Sequence, residues 1–75
     1  ALKDENGDHQ GAISDYRTVV ELSPKDETTL QRSYANMGNS YRALGQLEAA
    51  CQSWKKAKEL GADYVNSLLD QHCKI

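Results

Sequence analysis

Gly7-Asp8-His9-Gln10-Gly11-Ala12-Ile13-Ser14-Asp15-Tyr16-Arg17-Thr18-Val19-Val20-Glu21-Leu22 stands above Gly45-Gln46-Leu47-Glu48-Ala49-Ala50-Cys51-Gln52-Ser53-Trp54-Lys55-Lys56-Ala57-Lys58-Glu59-Leu60, 38 positions further along the chain. Gly7 aligns with Gly45, Ala12 with Ala50, Tyr16 with Trp54, Arg17 with Lys55, Glu21 with Glu59 and Leu22 with Leu60. A self-match at a period of roughly 20–50 residues marks a protein of stacked units, each too small to bury its apolar face alone. Such proteins usually work through a surface rather than a catalytic pocket.

Reading outward from that match, Ala1 to Asn6 read as the last turn of a helix ended by Gly7, a residue that tolerates the left-handed backbone of helix ends. Ala12, Ile13, Tyr16, Val19, Val20 and Leu22 recur at helical spacing and predict a helix from Asp8 to Leu22. Ser23-Pro24-Lys25-Asp26 reads as the next helix start. Ser23 would be its cap, Pro24 would sit in the first turn, and Asp26 would be the acidic partner three residues on. Leu30, Tyr34, Met37, Tyr41 and Leu44 then give a narrow apolar stripe on a helix from Pro24 to Leu44, ended by Gly45. Gly38 inside that helix costs about 1 kcal/mol relative to Ala, which marks a close helix crossing. A third helix is expected over Leu47 to Leu60, broken by Gly61. A fourth is expected over Asp63 to Cys73, with Tyr64, Val65, Leu68, Leu69, His72 and Cys73 on its apolar face. The short connections make neighbouring helices antiparallel.

Composition narrows the function classes. Seventy-five residues make one small domain that buries only about 60% of its unfolded surface. Apolar residues are 39%, there is no Phe, and one Pro and five Gly supply little punctuation, a balance that suits helices. The net charge of −2, with acids and bases interspersed, gives no electrostatic footprint for a nucleic-acid backbone. No apolar run approaches the roughly 20 residues that span a bilayer. The chain begins at Ala1 rather than Met, so it reads as a processed product or an excised piece, and the lack of a targeting segment assigns no compartment.

The stretch Tyr34 to Ala50 resembles the tetratricopeptide repeat, whose pattern runs aromatic, Leu-Gly-x-x-Tyr, Gly, Ala, aromatic, Ala and Pro. Tyr34, Met37, Gly38, Tyr41, Gly45, Ala50, Trp54 and Ala57 occupy those places in order, and Gly7, Ala12, Tyr16 and Pro24 match the second half of a preceding repeat. Ala62 stands where the family has Pro, and residues Glu27 to Leu30 lengthen the period. The resemblance implies an all-α fold: antiparallel helix pairs of a tetratricopeptide-type α-solenoid with a C-terminal capping helix. It divides the single domain 1–75 into the second half of one repeat (1–24), one full, slightly lengthened repeat (25–61) and a capping helix (62–75), the C-terminal end of an array. Small Gly38, Ala50 and Ala57 let helices approach, while Tyr34, Tyr41 and Trp54 fill the gaps as core residues.

The family binds partners on the inner face built by the first helix of each repeat. Here that face holds Arg32, Ala35, Asn36, Asn39 and Ala43, roughly opposite the apolar stripe at about 100° per residue. Arg32 with Asn36 and Asn39 could hold a peptide carboxylate or backbone, in partial likeness to the carboxylate clamp of chaperone-binding members. The plain alternative is a solvated face. Cys51 and Cys73 stand symmetrically about residue 62, the turn between the third and fourth helices, so an antiparallel hairpin sets them level. A disulfide there would close a loop worth about 3 kcal/mol, and two buried free thiols are the other reading. The bridge would place the protein outside the cytoplasm, and free thiols within it. A metal site would need a fourth ligand beside Cys51, His72 and Cys73 and lacks any zinc spacing. His9 reads as a solvated turn residue, and Lys55, Lys56 and Lys58 suit the negative end of the third helix dipole.

No nucleophile–base–orienter set, phosphate loop or paired carboxylates appears, so neither enzymatic activity nor a cofactor is expected. The expected function is a protein–protein interaction module that binds a peptide or protein on its inner face. The alternative is a structural end-cap or self-association segment with no separate ligand. Ala12, Ile13, Tyr16, Val19 and Val20 would be left partly uncovered by a missing upstream helix, giving a homodimer through that end.

Overall fold

A computed structural model of the chain describes residues 8–23 and 25–73. The turn expected over Ala1 to Asn6, its stop at Gly7, and Pro24 lie outside the described residues. Among the described residues four α-helices follow one another: α1 (His9–Leu22), α2 (Glu27–Ala43), α3 (Leu47–Glu59) and α4 (Asn66–His72), with a 3-10 turn over Asp63–Val65 leading into α4. No strand occurs among the described residues.

Backbone chemistry accounts for where each helix begins and ends. Asp8 caps α1 by accepting the Gly11 amide at 2.9 Å. Ser23 does not cap α2 as expected. It closes α1 instead, its amide donating to the Val19 carbonyl at 3.0 Å. The cap of α2 is Asp26, which takes the Thr29 amide on one carboxylate oxygen at 3.2 Å and the Thr29 hydroxyl on the other at 2.8 Å. A carboxylate has two acceptors where a serine has one hydroxyl, so Asp26 wins the position and α2 starts later than Pro24.

Helices α2 and α3 end in the same way. Gly45 (φ 80°) and Gly61 (φ 106°) adopt the left-handed backbone that side chains resist. The Gln46 amide donates back to the Tyr41 carbonyl at 2.9 Å, and the Ala62 amide to that of Ala57 at 3.0 Å, satisfying carbonyls that a helix end leaves open. Gln31 adds a third closure, its side-chain amide donating from α2 to the Leu60 carbonyl at the end of α3.

Contacts along α2 run in the reverse order along α3: Gln31 meets Leu60, whereas Ala35 and Gly38 meet Trp54. The pair is therefore antiparallel, and each helix packs chiefly on its sequence neighbours: α2 on α1 and α3, and α4 on α3. Trp54 is wholly buried between α2 and α4. Its indole lies across Gly38, where even a Cβ would enter the ring, and its N–H donates to the Ala35 carbonyl at 3.2 Å. The His72 ring stands 5.6 Å from it, centroid to centroid. Ala35, Ala50, Ala57, Ala62 and Val65 complete this core.

Four expectations about packing need correction. The buried arc of α2 is wide rather than a narrow stripe, because α1 and α3 flank it on both sides; Ser33, Ala35, Gly38 and Ser40 are buried beside Leu30 and Met37. Tyr34 and Tyr41 are only half-buried, at the edge of the core rather than inside it. The fourth helix is not continuous from Asp63, since its first turn is a 3-10 turn that directs Val65 inward and leaves Tyr64 60% exposed. The α1 face is also better covered than expected. Ala12 and Ile13 are buried, leaving Val19 and Leu22 as its exposed apolar residues.

Two substitutions test this packing. Gly38→Ala should lower stability by about 1–3 kcal/mol in denaturant unfolding, since the new methyl displaces the Trp54 ring; a parental midpoint would mean the crossing is not as tight as the structure has it. Ser40→Ala should be neutral or slightly stabilising, because the Ser40 hydroxyl is buried with no hydrogen-bond partner. A clear loss of stability there would show that the hydroxyl has a partner after all.

Candidate functional site

Because α2 is flanked on both sides, only a thin strip meets solvent along its length, with Glu27, Thr28 and Arg42 exposed beside it at the two ends. Arg32, Asn36, Asn39 and Ala43 occupy that strip and are all exposed. At about 100° per residue they fall within a sector of roughly 60°. Ala35, expected with them, is 5% exposed, and its carbonyl is the acceptor for Trp54, so its side chain is not available to a partner. The strip thus presents one guanidinium, two carboxamides and a methyl on a helix whose backbone is fixed at both ends. Neither carboxamide makes a hydrogen bond among the described residues, so their donors and acceptors face water.

Electrostatics reach the strip from the helix cap. Hydrogen bonds from the Thr29 hydroxyl and then the Thr29 amide hold the Asp26 carboxyl below its ordinary value, and Arg32 adds a smaller attraction. The same carboxylate that starts α2 therefore draws on Arg32, the first charged residue of the strip.

Clefts open elsewhere on the surface. A cleft of about 310 Å³ runs between α1 and α3, with Tyr34, Met37 and Tyr41 of α2 on its floor and Arg17, Val20 and Gln52 on its walls. The Arg17 guanidinium donates to the Tyr41 hydroxyl at 2.9 Å, so the central polar group of this groove is already engaged. Sequence reasoning placed Tyr41 in the core and gave no sign of this bond, whose partners are 24 residues apart. The Gln31–Leu60 bond was equally invisible, whereas Asp26-x-x-Thr29 carried a capping signature that the preceding Ser-Pro obscured.

Cys51 and Cys73 come together as the hairpin required, with Cα atoms 5.7 Å apart and sulfurs 2.11 Å apart. Both are half-buried. His72, once weighed with them as a ligand, lies against Trp54, and no group of three His, Cys, Asp or Glu residues among those described could hold a metal ion. Lys55, Lys56 and Lys58 are exposed on α3, two of them in its last turn. His9 is the first residue of α1 and half-buried, not a solvated turn residue. No described helix is long and apolar enough to cross a membrane.

The family model of the tetratricopeptide repeat matches residues 2–26 and 31–64, most of the chain. Comparison with curated proteins and with solved structures gives no significant match.

The Asp26 arrangement has a pH signature. A carboxyl held low in the folded state adds stability above its unfolded value, about 3.9 for Asp, and that gain is lost as pH falls through the folded value. Asp26→Asn keeps an acceptor at the cap but does not titrate. The melting-temperature gap between parent and Asp26→Asn should therefore be widest near neutrality and close in acid; a gap unchanged by pH would discard the charge-assisted cap.

Proposed function

The chain belongs to the tetratricopeptide repeat family, and we propose that it is an interaction module that grips an extended peptide segment of a protein partner along the Arg32–Asn36–Asn39–Ala43 strip. Repeats of this family are in general protein–protein interaction modules, which makes a protein the natural class of partner. The observation that carries the finer reading is the unspent hydrogen-bonding capacity of Asn36 and Asn39 on a rigid helix, next to the exposed Arg32. A carboxamide offers donors and an acceptor to a peptide backbone, and a guanidinium forks onto a carboxylate. Because α2 is held by α1 and α3, these groups are ordered before a partner arrives, which reduces the entropy lost on binding. The groove over Tyr41 is the weaker candidate, its central hydroxyl being bonded to Arg17.

A second reading, self-association, draws on Leu22 at 77% and Val19 at 37% exposure, two apolar side chains on one helix. Sedimentation of the parent and of Val19→Ser/Leu22→Ser over a wide concentration range separates the two. Association lost in the double variant would favour it, and a parent that stays monomeric would remove it.

Selection of displayed linear peptides against the chain tests the primary reading. Peptides recovered on the parent should bind Arg32→Ala and Asn39→Ala at least about tenfold more weakly, about 1.4 kcal/mol each. If they bind Arg32→Ala/Asn36→Ala/Asn39→Ala as well as the parent, the strip is not the binding surface.

A further inference from the structure

Helix α4 is weakly anchored by its own side chains. It has seven residues, none of them fully buried, and holds to the core through half-buried Leu68, Leu69 and Cys73. A helix this short has little stability of its own in water. Yet it covers Trp54, which has no exposed surface, through His72 beside the indole ring. The strongest link between α4 and α3 is the Cys51–Cys73 pair, at the far end of α4 from the Val65 anchor. Two surface clefts border that pair. One is lined by Leu47, Cys51, Lys55, His72 and Cys73, the other by Lys55, Lys58, Leu69, Asp70 and Cys73. Cys73 opens into both, and Cys51 into only one of them.

We propose that Cys51–Cys73 is a disulfide addressed from solution by a dithiol reductant, and that its reduction releases α4 and uncovers Trp54. A thiolate of the reductant attacks Cys73 Sγ, the sulfur of the residue that borders both clefts. The Cys51–Cys73 bond breaks as a mixed disulfide forms on Cys73, and Cys51 departs as a thiolate that takes a proton from water. The second thiolate of the reductant then closes on its own partner sulfur, and Cys73 leaves as a thiolate and is protonated in turn. The dithiol ends as a disulfide, and its two electrons reside on two cysteine thiols. Lys55 lies one helical turn after Cys51, lines both clefts, and sets a positive charge where the departing Cys51 thiolate develops. Once the link is gone, α4 retains only half-buried contacts, whereas α1, α2 and α3 keep theirs.

The chain contains a single tryptophan, so its fluorescence reports on this surface alone. The test treats the air-oxidised 75-residue chain with dithiothreitol in the absence of denaturant, following tryptophan emission and amide hydrogen exchange. Reduction should move the emission to longer wavelength and remove protection from residues 66–73, while α1 to α3 keep theirs. Cys51→Ser/Cys73→Ser should behave like the reduced chain from the outset. With excess glutathione and an acid quench, peptide mapping should find the mixed disulfide on Cys73. The proposal is overturned by free thiols in the air-oxidised chain, or by resistance to dithiothreitol until denaturant is added. It is equally overturned by unchanged emission and exchange after full reduction, by loss of protection in all helices together, by a double-serine variant that matches the oxidised chain, or by a mixed disulfide on Cys51.

Discussion

The packing of Trp54 on Gly38 is the constraint on which the rest of the structure depends. An indole can lie flat on a helix only where that helix has no side chain, and Gly38 supplies the gap. The approach is close enough for the indole N–H to reach the Ala35 carbonyl, so a polar group buried without water still has its partner. That geometry fixes the spacing of α2 and α3, and Ala50 and Ala57 keep the facing side of α3 shallow. Everything else is arranged about this crossing. α1 covers one flank of α2, α3 the other, and α4 closes over the exposed side of the ring.

The same crossing explains how the solvent-facing strip of α2 is left. With both flanks of α2 occupied, the helix between its end turns has only a narrow sector for solvent, and its residues there are polar or small. Arg32, Asn36 and Asn39 are held in register by packing that they do not join. A surface whose rigidity comes from residues behind it can change its polar groups without disturbing the core. This is why one repeat architecture can present many different faces.

Much of this was legible in the sequence, for identifiable reasons. The 38-residue self-match, the glycines at 45 and 61, and the pairing of Gly38 with a large aromatic all reflect backbone requirements that few residues meet. Cys51 and Cys73 were brought level by the position of the turn alone. What escaped were positions decided by neighbours rather than by residue type. Ser33, Ala35 and Ser40 are small enough to suit either solvent or a helix interface, so only the presence of α1 and α3 shows that they are buried. Val65 is buried as expected, but Tyr64 left the expected apolar face because a 3-10 turn advances the chain differently from an α-helix, and the sequence carries no mark of that change in pitch. Asp26 displaced Ser23 as a cap through the chemistry of its second oxygen. The strip itself could be placed on the solvent side of α2, but Ala35 drops out of it because its methyl packs in the core with Trp54, Ala50 and Ala57 of α3.

Each helix packs mainly on those adjacent to it in sequence, and this bears on the order of assembly. Such wiring gives low contact order and small loop-closure costs, so local pairs can form quickly without a search for distant partners. The α2–α3 hairpin has the tightest turn, closed by Gly45, and contains the Trp54–Gly38 crossing, which makes it the natural nucleus. α1 and α4 can then be laid down on either side of a surface already made. Cys51 is carried by that nucleus, while Cys73 arrives only with the last helix. Oxidation would thus follow docking, and it would record a completed fold rather than direct one.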